Sequence, residues 1–513
     1  MERFLDRHKD EIFGTLSGYD RVLFRGSLRS ISYATGMEIF LSSQKVLFKD
    51  FDQYAPGLSA KLKQHATEYA GQAERPYRYL ASAQQSKEEL VHQIIEQDQL
   101  TEGLVCVLSC VEPCQTWSVG KDPATQHLGL RSQQRQCLYL YYYFLDREFG
   151  LLHVRLQTWL PFTIQVCLNG REYLARQLDR LGIHYEKHDN CFTQIDDLPR
   201  AQKLIDQLDR YAWPKFLNSL AKRVNPLLFG KGKLPLHGYY WSIRQSELAT
   251  DVMFRDEASL QAIYPALLKQ AIEEFRSEDV LRFLGRRTNL RYSGRSESSL
   301  KKRIEGARVK HFVEENSIKM YDKAGRVLRI ETTINNPRRF RVRRTARRKG
   351  QKIKAWLPMR KGVIDAQRRC ELSRAANARY LDALAVVGLE TPSYRLLDQV
   401  SQPVERGGRK YRPLRPISPQ DSRVCEVIMR GEFLVQGFRN QDLRTRLESQ
   451  AESDPEERKQ AAGRITRLLR LWSAHGLIYK VLHTNYYRIT KKGRQIMATA
   501  LKFRHDDVVL LAI

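Results

Sequence analysis

The stretch CLYLYYYFLDREFGLLHVRLQTWLPF, residues 137–162, contains two runs of strand-forming residues separated by a short polar segment at 146–150. Aromatic and β-branched residues favour strands, and Asp and Gly are typical of the turns that join them. Successive residues of a strand point to opposite faces, so Val154 and Leu156 lie on one side while Arg155 lies on the other. The stretch therefore predicts a β-hairpin with one apolar face.

The segments that flank this hairpin alternate between predicted strands and predicted helices. LVCVLSCVEPC (104–114) predicts a strand, and NGREYLARQLDRLG (169–182) predicts a helix with Asn169 near its start and Gly182 at its C-cap. Strands interspersed with helices are typical of an α+β fold. We therefore expect an antiparallel sheet, ferredoxin-like or related, in the N-terminal and central regions.

The second face of the hairpin has two interpretations. If Tyr139, Tyr141 and Tyr143 of the first arm share a face with Arg155 and Trp159 of the second, that face can stack bases and hold phosphates. If a helix or a second domain covers the face, the aromatic residues are core instead. Arg155 and Trp159 are candidate nucleic-acid contacts under the first interpretation.

Composition indicates a globular protein. The chain has 513 residues, 42% hydrophobic and 10% aromatic, which is enough for several domains. Its first residues, MERFLDRHKDEIFG, lack the apolar segment of a signal peptide, and no run of 18 apolar residues follows. The eight cysteines show no spacing typical of a small disulfide-rich domain. We expect a cytoplasmic, nucleoid-associated protein.

Positive charge is concentrated in one part of the chain. The formal net charge is +29, yet residues 1–200 hold 23 Lys and Arg against 25 Asp and Glu. The excess therefore falls entirely after residue 200, as expected for a protein that binds a polyanion. DNA is the expected partner and RNA the alternative. No membrane partner is expected, and the sequence leaves the oligomeric state open.

The residues from 338 to 354 form one of the most basic stretches of the chain. Ten of these seventeen residues are Lys or Arg, and none is acidic. An extended strand or loop that contacts a phosphate backbone is the favoured interpretation, and a solvated surface loop is the alternative. The candidate contacts are Arg338, Arg339, Arg341, Arg343, Arg344, Arg347, Arg348 and Lys349.

Shifts in composition predict six regions along the chain. The stretch PVERGGRKYRPLRPISPQDS is rich in Pro, Gly and Arg and is the best linker candidate. The expected regions are an N-terminal mixed region (1–103), an α+β sheet domain (104–213), a basic central region with a β-hairpin (214–360), a helical segment (361–402), the linker (403–422) and a C-terminal module (423–513).

The C-terminal module predicts three helices, a two-stranded wing and a closing helix. In the third helix, Ile465, Leu469 and Trp472 recur at helical spacing. This order resembles the winged helix-turn-helix domains of MarR-like regulators. The resemblance implies DNA binding, with the third helix in the major groove and the wing on the backbone or in the minor groove. The contacts it implies include Arg464, Arg467, Lys480 and Arg488. A winged helix used for protein contact is the alternative.

Two central segments are similar to those of trans-acting rolling-circle replication initiators. NLRYSGRSESS (289–299) matches a tyrosine-containing segment, and NSIKMYDKAGRVLRIETTIN (316–335) matches a Y-[DE]-K strand followed by an R-x-E strand. The resemblance implies that Tyr292 attacks the scissile phosphate and that Glu331 is a metal-side carboxylate. It also implies that Lys323 or Arg329 neutralises the phosphate. The alternative is that Glu331 pairs with the arginines at 338–344.

Other residues could contribute to a metal site. Glu247 and Asp251 are four residues apart, in a stretch compatible with a helix or a strand. With Glu331 and Asp20, they could form a transposase-like carboxylate cluster that holds Mg²⁺ or Mn²⁺. His153 is a further candidate metal ligand, because its strand HVRLQ resembles the metal-binding strand of HUH nucleases, with an arginine where the second histidine would stand.

These patterns favour a nucleic-acid-binding protein of a mobile element that processes DNA, as a nicking or strand-transfer enzyme, a replication initiator or a transposase-like protein. The whole chain also resembles a bacterial mobile-element-type family to which no activity is attached. Catalysis by a metal-dependent DNA endonuclease or strand transferase is one hypothesis. The other is a non-enzymatic DNA- or RNA-binding regulator, or an RNA-associated protein.

Overall fold

The computed structural model describes residues 1–81, 86–121, 126–229, 232–285, 294–303, 306–348, 351–385, 393–449 and 454–505. Two of the predicted site residues, Tyr292 and Lys349, lie outside these ranges. The described chain divides into two compact units. The first consists of Met1–Tyr264, Leu300–Lys310 and Glu315–Leu381, and the second of Pro265–Ser299, His311–Glu314 and Asp382–Ile513.

The strands are, in chain order, β1 (Ile12–Ser27), β2 (Tyr77–Tyr79), β3 (Gly103–Lys121), β4 (Leu128–Asp146), β5 (Gly150–Gln157), β6 (Ile164–Asn169), β7 (Tyr185–His188), β8 (Cys191–Ile195), β9 (Tyr240–Phe254), β10 (Ser296–Arg303), β11 (Gly306–Val313), β12 (Asn316–Lys323), β13 (Val327–Ile334), β14 (Arg341–Arg348), β15 (Gln351–Pro358), β16 (Val404–Arg406), β17 (Arg409–Tyr411), β18 (Ile478–Lys480) and β19 (Tyr487–Ile489). One sheet has eleven strands in the order β10-β11-β12-β13-β9-β1-β6-β5-β4-β3-β2. Its pairings are antiparallel from β12 to β3, and β2 joins β3 in parallel.

The α-helices are α1 (Glu2–Arg7), α2 (Ala34–Ser43), α3 (Phe51–Gln72), α4 (Lys87–Gln97), α5 (Gly170–Leu181), α6 (Leu198–Asp206), α7 (Trp213–Val224), α8 (Glu257–Lys269), α9 (Ser277–Phe283), α10 (Ala366–Leu384), α11 (Ser393–Asp398), α12 (Pro419–Ile428), α13 (Gly431–Gln436), α14 (Asn440–Leu447), α15 (Pro455–Ala474) and α16 (Lys491–His505). None of those within the described ranges combines the length and the apolar composition needed to cross a membrane.

The hairpin at 137–162 forms as predicted. β4 and β5 pair from Tyr139 opposite Gln157 to Asp146 opposite Gly150. The Asp146 carboxylate accepts hydrogen bonds from the backbone N–H groups of Glu148 and Phe149, and Gly150 adopts a φ of 63°. These two features close the turn, because an aspartate satisfies the local backbone donors and glycine tolerates positive φ.

The tyrosines of this hairpin are core residues. Tyr141 lies opposite Arg155 on the same face, as one interpretation of the sequence required. Tyr139, Tyr141 and Tyr143 are nevertheless buried in a cluster that includes Val91 of α4. A helix therefore covers the aromatic face, and the prediction that its tyrosines stack exposed bases is wrong.

The prediction of an α+β fold with an antiparallel sheet is confirmed, but the sheet is larger than expected. A ferredoxin-like unit has four strands, whereas this sheet has eleven. β1 pairs with both β6 and β9, and β9 pairs with β13. Strands from the regions predicted at 1–103, 104–213 and 214–360 thus belong to one sheet. Pairing between distant segments leaves no local sequence pattern, so it could not be inferred from the residues alone.

The opposite face of the sheet carries the main hydrophobic core. Buried residues of α3, α5, α6 and α7 pack there against the apolar side of β1 and of the hairpin strands. α5 begins and ends as predicted: the Asn169 side chain accepts hydrogen bonds from the N–H groups of Arg171 and Glu172, and Gly182 is left-handed at the C-cap with a φ of 64°. A disulfide joins Cys114 and Cys137, which the sequence analysis did not anticipate.

The second unit contains α9, α11 to α16 and the short hairpin β18–β19. Its core includes Ile465, Leu469 and Trp472 of α15, as the helical spacing predicts. The segment predicted as a linker at 403–422 is ordered: β16 and β17 form a hairpin there, flanked by the buried residues Val400 and Leu414. Four helices, α12 to α15, precede the β18–β19 hairpin where the sequence predicts three, and α16 follows it.

Candidate functional site

A polar cavity of about 380 Å³ opens on the sheet face opposite the main core. Three carboxylates from neighbouring strands line it: Asp20 of β1, Glu247 of β9 and Glu331 of β13. One oxygen atom of each lies within 4.8 Å of the others. Their exposed fractions are 5%, 8% and 1%, respectively.

The strand register aligns two of these carboxylates. Glu331 lies opposite Ala249, two residues along β9 from Glu247. Residues two apart on a strand share a face, so the Glu247 and Glu331 side chains project to the same side of the sheet. The intervening alanine leaves space above the sheet between them.

A β-bulge brings Asp20 into the group. Tyr19 pairs with Leu248 and Arg21 pairs with Glu247, so Asp20 is an extra residue on β1 with no partner on β9. A bulge redirects the side chain of the extra residue and breaks the simple alternation of faces. Gly170 lies beside this bulge, where a Cβ atom would come within 2.2 Å of the Tyr19 carbonyl oxygen.

Positive and hydroxyl groups contact the carboxylates within the cavity. On β12, Lys319 lies opposite Glu331, with its Nζ atom 2.7 Å from Oε1. The Tyr321 hydroxyl donates a hydrogen bond of 2.6 Å to the second oxygen, Oε2. Arg21 contacts Glu247, with its Nη2 atom 3.1 Å from Oε1. Glu331 thus has an ion-pair partner on one oxygen and a hydrogen-bond donor on the other.

Asp251 lies next to the cavity but does not line it. It is fully buried, and Arg329 binds both of its oxygens at 2.6 and 2.9 Å while Arg171 binds one of them at 2.8 Å. β9 is a strand, so Glu247 and Asp251 are not one helical turn apart. The predicted role of Asp251 as a metal ligand is not supported by this geometry, because two arginines already occupy its carboxylate.

Arg329 is an internal residue of this network. It is fully buried, and besides Asp251 it contacts Asp20 at 3.3 Å and donates a hydrogen bond of 2.7 Å to the Asn190 carbonyl oxygen. A phosphate from outside cannot reach it. Its predicted role as a nucleic-acid contact is therefore replaced by a structural one, which is to hold two carboxylates in place.

Burial and charge act in opposite directions on the two aspartates. Burial raises the pKa of Asp20 to about 6; Arg329 opposes this and Glu331 adds to it. Burial also acts to raise the pKa of Asp251, but Arg171 and Arg329 outweigh it and the pKa falls below its usual value. Of these two aspartates, Asp20 is therefore the one whose negative charge is less well compensated by neighbouring positive charge.

The three cavity carboxylates suit a divalent cation such as Mg²⁺ or Mn²⁺. Both ions prefer oxygen ligands, and three carboxylate oxygens within 4.8 Å of one another can reach a single ion. Glu331 Oε1 is buried, and Lys319 Nζ lies 2.7 Å from it as its ion-pair partner. A divalent cation at the site would therefore share this oxygen with Lys319.

His153 is not part of this group. Its ring lies near those of Tyr141 and Tyr143, with centroids 6.0 and 5.2 Å away. Burial, followed by the nearby Arg155, lowers the pKa of His153 to about 4, so the ring is neutral at pH 7. The group of potential metal ligands found among the described residues contains Asp20, Glu247 and Glu331 but not His153.

The other residues predicted to contact nucleic acid lie in different environments. Arg155 forms an ion pair with Glu112 and lies 3.7 Å from the Tyr139 ring centroid, and Trp159 is half-buried and donates a hydrogen bond to the Trp117 carbonyl oxygen. Lys323 lines the cavity and pairs with Asp189 at 2.9 Å.

In the second unit, Arg464 pairs with Glu448 at 2.7 Å. Arg467 and Lys480 are exposed and Arg488 is half-buried. The arginines at 338–344 do not pair with Glu331, whose contacts are Lys319 and Tyr321. That alternative from the sequence is therefore wrong.

Sequence reasoning missed Lys319 and Tyr321. Both stand on the same face of β12 as Lys323, at alternate positions in NSIKMYDK, and the turn at Ala324 and Gly325 folds them back over β13. Counting the register backwards from this turn would have placed Lys319 opposite Glu331.

The chain was compared with known proteins at three levels. No family model, no curated protein and no solved structure matches it. The geometry of the cavity and the distribution of charge are therefore the features that bear on function.

Proposed function

We propose that the protein processes nucleic acid as a metal-dependent phosphodiester-cleaving or strand-transfer enzyme, with DNA as its substrate. The observation that supports this most is the convergence of Asp20, Glu247 and Glu331 from three neighbouring strands at one polar cavity. Each of the three has an ion-pair partner, but their meeting at one open polar cavity is typical of a functional site rather than of isolated structural ion pairs.

The residues around the carboxylates have defined roles in this proposal. When bound, a divalent cation would polarise the scissile phosphate and lower the pKa of an attacking water. Asp20, Glu247 and Glu331 would hold the ion. Lys319, which pairs with Glu331, would supply positive charge beside a bound phosphate, and the Tyr321 hydroxyl fixes one oxygen of Glu331.

Charge supports a polyanionic substrate. The excess of Lys and Arg after residue 200 is the expected footprint of nucleic acid, and the C-terminal helices with their short hairpin, in the order of a winged helix, would supply a second DNA-binding element. Arg467 of α15 and Lys480 of β18 are exposed there. A protein carried by a mobile element is the biological setting that this combination favours.

The test is a cleavage assay with supercoiled plasmid and labelled single strands in Mg²⁺, Mn²⁺ or EDTA. We expect cuts that require metal, and Glu247→Gln and Glu331→Gln should each reduce the rate by about a hundredfold or more. Glu112→Gln is the matched control: Glu112 is a half-buried, ion-paired carboxylate on the same sheet but outside the cavity, and its loss should leave the rate unchanged. Metal-dependent cutting that survives both cavity substitutions would refute the assignment.

The assay also tests the tyrosine hypothesis. A strand that remains attached to the protein on a denaturing gel, and becomes free after protease treatment, would indicate a covalent phosphotyrosine. Tyr292→Phe should then abolish the product. Free ends of both strands would instead support hydrolysis at the carboxylates.

A non-enzymatic nucleic-acid binder is the second candidate, and one observation favours it. The four carboxylates Asp20, Glu247, Asp251 and Glu331 are balanced by four cations, Arg21, Arg171, Lys319 and Arg329, so the network is neutral without a metal. Under this hypothesis Lys319→Met leaves Glu331 unpaired and lowers the free energy of unfolding by about 3 kcal/mol, with or without Mn²⁺. Under the metal hypothesis Mn²⁺ restores much of that loss.

A further inference from the structure

The basic stretch folds into a two-stranded antiparallel ribbon. β14 and β15 pair along their whole length, from Arg341 opposite Pro358 to Arg348 opposite Gln351. We call residues 341–358 the basic ribbon. Eight residues per strand give it a length of about 26 Å. The sequence predicted an extended basic segment here but not its pairing or its two distinct faces.

One face of the basic ribbon is exposed and strongly cationic. Opposed residues of an antiparallel pair share a face, so Arg343 lies beside Trp356 and Arg347 beside Lys352. Every residue of this face is exposed, and the Trp356 side chain is 55% exposed. The cations of this face are Arg341, Arg343, Arg347, Lys352 and Lys354.

The other face anchors the ribbon. Its apolar residues, among them Val342, Ile353 and Leu357, are half-buried. At the base, Phe340 and Met359 are buried together with Ile334 at the end of β13. The ribbon therefore presents a fixed side to the solvent, since turning it over would expose its apolar face.

Within the described part of the chain, no carboxylate pairs with most of the cations on the exposed face. Residues 337–361 contain no Asp or Glu. Arg343, Arg347, Lys352 and Lys354 form no ion pair with a carboxylate anywhere in the described ranges, whereas Arg344 on the other face lies 3.6 Å from Asp365. Four closely spaced, uncompensated cations repel one another, and an external polyanion relieves that repulsion.

We propose that the basic ribbon binds duplex DNA by lying in its major groove, with the exposed cations on the flanking phosphates. This rests on the proposed function only in taking DNA as the partner. Two strands lie about 5 Å apart, and a ribbon of that width with its side chains fits a major groove about 12 Å wide. Single-stranded DNA is less suited, because binding of single strands uses a series of stacked aromatic residues and this face has one, Trp356.

The test measures binding of the full chain to a 30-base-pair DNA duplex by fluorescence anisotropy, in EDTA, between 50 and 200 mM salt. Arg347→Gln with Lys352→Gln removes one opposed pair of cations. We expect the affinity for the duplex to fall tenfold or more, and the slope of log affinity against log salt to fall by about 2. The matched control is Lys61→Gln with Lys63→Gln on α3, which removes two exposed cations away from the ribbon and should change neither quantity.

Two further probes distinguish other partners. A double-stranded RNA has a major groove too narrow for the ribbon and should bind at least tenfold more weakly than the DNA duplex. Equal affinity for both duplexes would overturn the assignment. The assignment would also be overturned if Trp356→Ala lost single-strand binding while the double cation variant still bound the DNA duplex normally. That pattern would mean that the ribbon binds single strands.

The experiments distinguish a failure of the ribbon proposal from a failure of the proposed enzymatic function. Binding in EDTA does not depend on the carboxylates or on metal. If the ribbon variant binds the duplex like the wild type while metal-dependent cleavage proceeds, the ribbon assignment is wrong and the proposed function stands. If the ribbon variant loses binding but the wild type cleaves nothing in any metal, the ribbon assignment stands and the enzymatic function is wrong.

Discussion

The pKa values of two aspartates in one network shift in opposite directions, because the partners of the two residues differ. Asp251 receives contacts from two arginines at 2.6 to 2.9 Å. Asp20 receives a 3.3 Å contact from Arg329 and two hydrogen bonds from the Asn190 amide. The first is fully compensated as an anion and the second is not. The carboxylate with the weaker compensation is the one that faces the cavity.

The raised pKa of Asp20 predicts how the stability of the protein changes with pH. Its pKa rises from 3.8 in a free side chain to about 6 in the fold. The folded protein therefore holds the proton more tightly, and the stabilisation from this group is complete below pH 4 and is lost as the pH rises through about 6, by about 3 kcal/mol in all. In EDTA, the melting temperature of the wild type should fall relative to that of Asp20→Asn between pH 4.5 and 7.

Thermal unfolding of the two proteins in matched buffers measures this difference. Added Mn²⁺ should raise the melting temperature of the wild type more at pH 7.5 than at pH 5, because a proton on Asp20 competes with the ion. The Asp20→Asn variant should show little response to Mn²⁺. If the melting temperatures of the wild type and of Asp20→Asn changed with pH in the same way, the raised pKa would not belong to Asp20.

At the scale of elements, the junction between β1 and α5 positions the site. Gly170 begins α5 directly against the bulge at Asp20, and a methyl group there would overlap the Tyr19 carbonyl oxygen. Backbone cannot move aside as a flexible side chain can, so α5 and its Arg171 would shift away from β1. Because Arg171 binds Asp251, the shift would also disturb the charge network.

Gly170→Ala should accordingly destabilise the fold by about 1–3 kcal/mol and weaken Mn²⁺ binding. Gly57→Ala on α3 is the matched control: the glycine is exposed in a helix, with nothing within 4 Å of a new Cβ, and the substitution should stabilise by up to about 1 kcal/mol. Urea unfolding of both variants measures the first effect and calorimetric titration of Mn²⁺ the second. Equal stability of the two variants would mean that the junction relaxes freely.

The elements that sequence could predict are those with local causes. The hairpin at 137–157 and the Asn169 and Gly182 caps of α5 depend on residues a few positions apart, and all of them form. The carboxylate site depends on β1 pairing with β9 and on β9 pairing with β13. Asp20, Glu247 and Glu331 could be named as acidic residues in a basic protein, but their convergence and the exclusion of Asp251 follow from register and from a bulge, which local patterns do not show.

On the scale of the whole molecule, the large sheet makes the predicted boundary at residue 213 unsuitable as a cutting point. β9, residues 240–254, pairs with β1 over nearly its whole length. A fragment of residues 1–213 would leave β1 as an exposed edge strand, paired with β6 alone, and remove Trp241 and Ile243 from the main core.

We expect this fragment to aggregate or to lack cooperative unfolding, whereas the full chain unfolds with a clear transition. Circular dichroism and thermal scans of the fragment and the full chain would show this. A fragment that is monomeric and melts cooperatively would mean that residues 1–213, with strands β1 to β8, form an independent domain. The long separation between paired strands also predicts slow refolding of the full chain.

The bulge on β1 means that a single residue, Asp20, contributes to the carboxylate site without taking part in the pairing of β1 with β9. Deleting Asp20 would remove this bulge from the ladder between β1 and β9, and the third carboxylate would disappear with it. Among descendants of a common ancestor, a chain one residue shorter at this point would keep the other residues of the sheet and of the ribbon. Under the proposed function, such a chain would bind nucleic acid without cleaving it, so the length of a single strand would record whether a lineage had retained the reaction.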